Sequence, residues 1–340
     1  MKTSSIKPLL LIAILILVSV KPLSAQVAAP QQFSSRQSEN PATVVLFEDS
    51  SIAYIQNSGS GESNTVINYF GFEYDSGESE EYTSERKSAL GVYASEDWGL
   101  EAFMDVSHKN VIENKNSSGS SVATAGNDYT IENKLQYVLW GTRFGPALNW
   151  GIRVAQQEET VKAFQITSSD LALGLGITYQ LIDNLFFGVG GNLINSESTA
   201  KVANMRYDYY YGVSYGFKPN TETGVRFEAN STNSPEDGEP ASGNKVANNH
   251  RATAETLLVA ELRYLQIKAS YQKRSVTISP LSTRPSEGKD TTDTAVIGIG
   301  YVLDKPAAFI EASQYTTERK RGQYTTTDSK ALELSVGILF

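Results

Sequence analysis

The last ten residues of the chain, Ala331–Phe340 (ALELSVGILF), decide the fold. Every second residue from Leu332 to Phe340 is apolar, and the intervening Glu333, Ser335 and Gly337 are polar or small. Side chains of a β-strand point alternately to opposite faces, so a period of two predicts a strand with one apolar face. The final residue of this predicted strand is aromatic.

The same alternation recurs through most of the chain. Further apolar faces of period two occur in eight ranges: 98–106, 148–154, 171–179, 207–217, 225–229, 258–264, 267–271 and 295–301. These segments predict an all-β protein. Alternation alone does not say whether the apolar face meets a soluble core or lipid, because a membrane barrel reverses the polarity of a soluble sheet.

The connections between the predicted strands separate these two cases. Six are short: Glu96-Asp97, Gly145-Pro146, Asp183-Asn184, Lys218–Glu222, a turn near Leu265, and Asp304–Pro306. Seven are mostly longer and polar: 75–84, 110–127, 158–163, 196–203, 231–250, 280–291 and 319–323. They alternate along the chain, as the periplasmic turns and extracellular loops of outer-membrane barrels do. The thirteen connections predict fourteen strands, the first at about 65–74.

The N-terminus has the pattern of a secretory signal. Lys2 and Lys7 precede the apolar run Leu9–Val20, and Leu23-Ser24-Ala25 follows it. A basic start, a short apolar stretch and a small residue before the cut are typical of a signal peptide, and the run is too short to span a bilayer as a helix. We predict a signal peptide at 1–25, a periplasmic or lumen-plugging segment at 26–63, and a barrel at 64–340.

Composition excludes several classes of function. The 340 residues carry a formal net charge of −9 and no cysteine, which disfavours a nucleic-acid partner and excludes thiol chemistry. The two histidines, His108 and His250, fall near predicted extracellular loops, and strict alternation places Asp105 and His108 on opposite faces. We therefore predict no enzyme, cofactor or metal. The acidic stretch Asp75–Glu85 is interpreted as a solvated loop, with a divalent-cation site as the alternative.

The fold class predicted from these patterns is a closed antiparallel transmembrane β-barrel of about fourteen strands with an N-terminal plug-like segment. The C-terminal strand resembles the closing strand of Gram-negative outer-membrane barrels. That resemblance implies that Phe340 is a signal for the barrel-assembly machinery. It also implies an outer-membrane location, with lipid and lipopolysaccharide as partners.

Charged residues of both signs fall on the predicted inner face. They are Glu101, Asp105, Arg153, Asp208, Arg226, Glu228, Glu261, Arg263, Lys268, Glu311 and Glu333. They could bias what passes through a polar pathway, or pair across strands and stiffen a water-filled wall. Inner-face glycines at 174, 176, 188, 190, 298 and 300 predict space for an object in the lumen, such as the N-terminal segment.

One tripeptide adds a more specific resemblance. Asn40-Pro41-Ala42 resembles the Asn-Pro-Ala motif of FadL-type outer-membrane transporters, which have fourteen strands and an N-terminal hatch in the lumen. The resemblance implies passive uptake of small hydrophobic molecules past a hatch. The alternatives are a polar or ion-selective pore, and a structural or surface-interaction barrel acting through loops 110–127 and 231–250.

Overall fold

The computed structural model describes most of the chain after residue 39. The described residues are 40–46, 50–69, 72–115, 129–182, 184–199, 201–217, 223–236, 249–262, 264–278, 288–304, 307–321 and 325–339. The predicted signal peptide and Phe340 lie outside them, as does Arg263. Among the described residues, no helix has both the length and the apolar character needed to cross a membrane.

Fourteen strands form one closed antiparallel barrel, in which each strand pairs with its sequence neighbours and the first pairs with the last. The strands are β1 Ser51–Tyr69, β2 Phe72–Ala94, β3 Trp98–Lys115, β4 Tyr129–Arg143, β5 Leu148–Val161, β6 Ile166–Ile182, β7 Leu185–Ser198, β8 Lys201–Phe217, β9 Thr223–Glu236, β10 Asn249–Leu262, β11 Leu265–Ile278, β12 Gly288–Asp304, β13 Ala307–Arg321 and β14 Thr325–Leu339. The predicted count, order and closure are confirmed.

The apolar faces of the strands point outward. On β6 the residues at 171, 173, 175, 177, 179 and 181 are exposed, whereas Gly174, Gly176 and Thr178 between them are buried. Leu175 is 65% exposed and Thr178 only 2%. An apolar exterior around a more polar interior is the pattern of a membrane barrel.

The predicted start of the barrel was wrong. Residues 51–63 belong to β1 and pair with both β14 and β2, so they are wall and not part of a segment preceding it. The range predicted as the first strand, 65–74, covers the β1–β2 hairpin. The first part of β1 was not predicted as a strand because its outward residues beyond Tyr54 are Gln56, Ser58 and Ser60, which give no apolar alternation.

Several predicted loops are also extensions of strands. The acidic stretch 75–84 lies within β2, so it is not a loop, and its described residues include no group of carboxylates that could hold a metal. Parts of 110–127, 158–163, 196–203, 231–250, 280–291 and 319–323 are strand as well. These extensions lie on the side of the long loops and are rich in polar residues, and they therefore resemble loops in sequence.

The other end of the barrel has compact turns. Between β4 and β5 the chain turns through Gly145, whose φ of 81° is a backbone conformation that favours glycine. Asn184, between β6 and β7, adopts a φ of 65°, which asparagine tolerates better than most residues. Residue 50 and the end of β14 lie at this end too, as an even number of strands requires.

Candidate functional site

Residues 40–46, which we call the lumen segment, lie inside the barrel. Pro41–Leu46 forms a short 3-10 helix whose Pro41, Ala42, Val44 and Val45 are less than 2% exposed. Asn40 starts the helix: its side-chain Oδ1 accepts a hydrogen bond from the Ala42 amide at 3.1 Å, and its carbonyl accepts one from the Thr43 hydroxyl at 2.8 Å. Asparagine before a helix and proline at its first position are both favoured.

Five glycines on five successive strands form the seat of the lumen segment, which we call the glycine cradle. They are Gly99 on β3, Gly141 on β4, Gly151 on β5, Gly176 on β6 and Gly188 on β7. A Cβ at Gly141 would lie 2.7 Å from the Pro41 carbonyl oxygen, and one at Gly99 would lie 2.7 Å from the Val44 carbonyl carbon. Backbone can approach the wall this closely only where the wall lacks side chains.

The contact with β6 and β7 is made by Asn40. Its Nδ2 donates a hydrogen bond to the Ile177 carbonyl at 3.2 Å. A Cβ at Gly188 would lie 2.9 Å from the same Nδ2, and one at Gly176 would lie 2.8 Å from Pro41 Cδ. Asn40 and Pro41 therefore occupy space that the glycines leave open. Of the six glycines predicted to make room in the lumen, these two face the segment.

The other four predicted glycines face wall side chains. The nearest groups to a Cβ at these positions include Asn192 for Gly174, Tyr210 for Gly190, Lys268 for Gly298 and Glu311 for Gly300. Three cradle glycines, Gly99, Gly141 and Gly151, were not singled out from the sequence. The sequence pattern places these three glycines on the inner face, but it does not indicate which strands the lumen segment contacts.

Apolar side chains fill much of the lumen at the level of the segment. Val44 and Val45 pack with the fully buried Leu139 of β4. A second cluster is formed by residues of β1, β2, β3, β12 and β13: Ala53, Ile55, Leu90, Val92, Phe103, Val302 and Phe309. Tyr137 packs against both clusters. The end of the barrel with compact turns is thus narrowed by an apolar core.

A cavity remains between the lumen segment and the wall formed by β6 to β9. It is small, with a volume of about 30 Å³, and its lining includes Leu46, Phe186 and Tyr210 together with amide and hydroxyl groups of Asn40 and Thr178. Apolar walls with a few polar groups are usual in sites for small molecules.

Below this cavity a wider vestibule opens among the compact turns, lined by Leu46, Phe186, Asn149 and Arg143 among others. Leu46 and Phe186 line both spaces, so these two side chains stand between the cavity and the vestibule. Asn149 lines the vestibule and donates a hydrogen bond to the hydroxyl of Thr178, which lines the cavity, at 3.0 Å.

Arginine and aromatic side chains from β2 to β5 form a stack on the inner face. The rings of Phe103 and Tyr137 are parallel within 14° at a centroid distance of 5.1 Å. The guanidinium of Arg86 lies 5.0 Å from the centre of Phe103, and that of Arg153 lies 5.8 Å from the centre of Tyr137. Such contacts are favourable because the ring faces carry negative charge.

Two of the predicted lumen carboxylates hold this stack in place. Glu101, 1% exposed, accepts a 2.6 Å hydrogen bond from the Tyr137 hydroxyl. Asp105 accepts hydrogen bonds from Arg86 Nε at 2.6 Å and from the Leu135 amide at 2.9 Å. Arg86 and Tyr137 were not among the predicted residues, because each lies in a segment without clear apolar alternation.

The other predicted lumen charges lie along the remaining wall. Arg226 and Glu228 form an ion pair at 3.0 Å, and Lys268 pairs with Glu311. Glu333 accepts a hydrogen bond from Asn57 at 3.0 Å, and Glu261 accepts one from Gln266 at 3.4 Å. Asp208 lies on β8. The structure brings these residues together in pairs on the same strand, on adjacent strands or, for Lys268 and Glu311, across β12, and not as one converging site.

A β-bulge changes the expected placement of His108. The β2–β3 register shifts between Lys87 and Ser88, so that Arg86 pairs with His108 while Ser88 pairs with Asp105. Arg86 faces inward, and cross-strand partners share a face. His108 and Asp105 therefore lie on the same face, and the expectation of opposite faces was wrong because a bulge adds one residue to the alternation. The side chain of His250 lies outside the described residues.

A closed fourteen-stranded barrel with an apolar exterior and a chain segment in its lumen has the architecture of the outer-membrane β-barrels. No family model matches the sequence, and no curated protein matches it. Among solved structures, the fold is similar to a deletion mutant of the TodX monoaromatic hydrocarbon channel, with a TM-score of 0.52, 12% identity, and coverage of 88% of this chain and 92% of that one.

Two further structures extend the likeness. A Pseudomonas aeruginosa FadL homologue has a TM-score of 0.52 at 10% identity, covering 88% of this chain and 92% of that one. The CymD monoaromatic hydrocarbon channel has a TM-score of 0.50 at 10% identity, covering 94% and 95%. The resemblance to FadL-type barrels predicted from the sequence is confirmed at the level of fold, and these neighbours are channels rather than enzymes.

Proposed function

We propose that this protein is an outer-membrane channel for the passive uptake of small hydrophobic molecules past the lumen segment. In this account residues 1–25 direct export and are cleaved, and the barrel inserts in the outer membrane of a Gram-negative bacterium. The similar solved structures include hydrocarbon channels, which supports hydrophobic cargo.

The observation that carries the proposal is the cavity beside the lumen segment. It lies within the lumen, has an apolar and aromatic lining, and is separated from the vestibule by Leu46 and Phe186. A hydrophobic molecule entering from the side of the long loops would have to widen this small space by moving the side chains around it, and movement of Leu46 and Phe186 would release it. The segment acts as a hatch, and the glycine cradle positions it.

Neighbouring phenylalanines on β7 provide a matched test. Phe186 lines the cavity and faces inward, whereas Phe187 faces outward and is 47% exposed. Entry of the fluorescent hydrophobic probe N-phenyl-1-naphthylamine would be followed in cells of a host whose intact outer membrane excludes it. Cells with the wild-type protein should take up the probe faster than cells with an empty vector. Phe186→Ala should increase the rate further, and Phe187→Ala should not.

Equal rates with the wild-type protein and the empty vector, at matched amounts of folded barrel, would refute hydrophobic uptake. The charged inner wall favours one competing function, a polar pore. A steady ionic conductance of the unmodified protein in planar bilayers, together with no uptake of the hydrophobic probe, would support that pore instead.

A further inference from the structure

The apolar band around the outside of the barrel is not uniform. On β14 four outward residues in succession are apolar and exposed: Leu332, Leu334, Val336 and Ile338. On β12 the equivalent residues are Ala295, Ile297, Ile299 and Tyr301. These strands present an apolar surface several residues tall, as contact with lipid requires.

On β1 the apolar band ends after Tyr54. Tyr54 is outward and 40% exposed, but the outward residues that follow it are Gln56, Ser58 and Ser60, all of them exposed. Their direct partners on β2 are Lys87, Glu85 and Thr83. We call these six residues the polar notch.

The polar notch lies at the depth of the lipid-facing residues of β14. Ser58 pairs directly with Leu334, and Ser60 pairs with Leu332, which is 59% exposed. Paired residues on neighbouring strands differ in position along the barrel axis by only about 3 Å, because strands lie about 4.8 Å apart and tilt by about 40° from that axis. The notch therefore occupies part of the band itself, on the side toward the long loops.

The notch is open toward the outer surface. Above Ser60 the outward residues of β1 are Glu62 and Asn64, so no apolar residue separates the notch from the polar strand extensions. Charged side chains such as Glu85 and Lys87 are costly in hydrocarbon and demand water or polar groups. The notch also lacks the large aromatic or aliphatic anchors on which protein interfaces depend.

We propose that the head groups and water of the outer leaflet descend along β1 and β2 into the polar notch, so that the membrane is locally thinner there. A bilayer adapts to a short apolar stretch by thinning at modest cost. The ligand of this surface is the polar head-group region of the lipid. The inference rests on the membrane location of the barrel, and not on what the lumen transports.

The chain has no cysteine, so single nitroxide labels can be placed without background. Ser58→Cys would report the notch, and Leu334→Cys, its cross-strand partner, would serve as the matched control. Both labelled proteins would be reconstituted in bilayers, and collision rates would be measured with oxygen, which concentrates in hydrocarbon, and with a water-soluble nickel chelate. The ratio of nickel to oxygen collisions should be higher at Ser58 than at Leu334.

Each other outcome has a distinct meaning. If both labels favour oxygen, lipid chains cover the notch and the proposal is wrong. If both labels collide mainly with the nickel chelate, both sites are exposed to water and the assumed membrane location of the barrel is wrong. If the Ser58 label is shielded from both reagents while the Leu334 label favours oxygen, a protein surface covers the notch in place of head groups. A Gln56→Leu/Ser58→Leu variant carrying the label at Ser60→Cys should shift that label toward oxygen if the polar residues cause the effect.

Discussion

A methyl group added to the glycine cradle should displace the lumen segment without damaging the barrel. Gly141→Ala is such a change, because its three nearest atoms all belong to the segment: Pro41 O at 2.7 Å and the Cγ2 atoms of Val44 and Val45 at 3.0 Å. Ordinary contact begins at 3.4 Å, so the carbonyl must retreat by about 0.7 Å. Gly300→Ala is the matched control, because its nearest atom is Glu311 Cγ at 3.6 Å.

The expected magnitude follows from burial. Val44 and Val45 are 0% and 1% exposed, and burying a valine side chain contributes about 1.5–3 kcal/mol, so docking of the pair is worth about 3–6 kcal/mol. Overpacking by one methyl costs about 1–3 kcal/mol. One substitution should therefore weaken docking of the lumen segment. The combined cost of Gly99→Ala and Gly141→Ala should approach the whole free energy of docking.

Thiol labelling would measure this release. In a Val44→Cys protein the single cysteine should react slowly with a water-soluble maleimide, because the site is buried. Gly141→Ala should raise the labelling rate by about 5- to 150-fold, the factor equivalent to its cost. Gly300→Ala should leave the rate unchanged. Equal rates in the Gly99→Ala/Gly141→Ala double variant and the control, with both barrels folded, would refute the cradle as the seat of the segment.

Three further predictions test the assignments. Deleting Phe340 should reduce assembly in the outer membrane more than it reduces the stability of the folded barrel; equal amounts of assembled protein in cells would contradict this. Val213→Arg should destabilise the barrel by about 2–4 kcal/mol in a lipid-folding titration, and Ser214→Arg much less, because only the first faces lipid; the reverse order would overturn the face assignment. Tyr137→Phe removes the donor to the buried Glu101 and should cost about 1–3 kcal/mol in the same titration, whereas Tyr271→Phe, whose hydroxyl bonds Asp293 at the exposed surface, should change little.

The barrel could be predicted from the sequence because contact with lipid restricts which residues a strand can place on its outer face. Each strand that faces hydrocarbon needs apolar residues at every second position, and β6, β8, β12 and β14 show that pattern plainly. β1 did not, because its outward face carries the polar notch. The first strand was therefore placed too late, and the predicted N-terminal segment 26–63 included the larger part of β1.

The site was only partly predictable. Asn40-Pro41-Ala42 and two of the cradle glycines were singled out, and the structure brings them into contact. Phe186, Arg86 and Tyr137 were missed because their roles depend on which residues meet across the lumen, and distance in the sequence gives no indication of that. His108 was placed on the wrong face because one bulge residue reverses an alternation.

The most direct test of the account is the ionic conductance of the barrel with and without its lumen segment. The deletion must end at residue 46, because removing 26–63 would destroy β1 and open the barrel. Deleting 26–46 should leave all fourteen strands paired, since their backbone hydrogen bonds are made with one another. In planar bilayers the truncated barrel should conduct more than the full-length protein, because the lumen of a barrel this size admits water once emptied. Identical conductance of the two folded proteins would contradict the role of the lumen segment as a hatch.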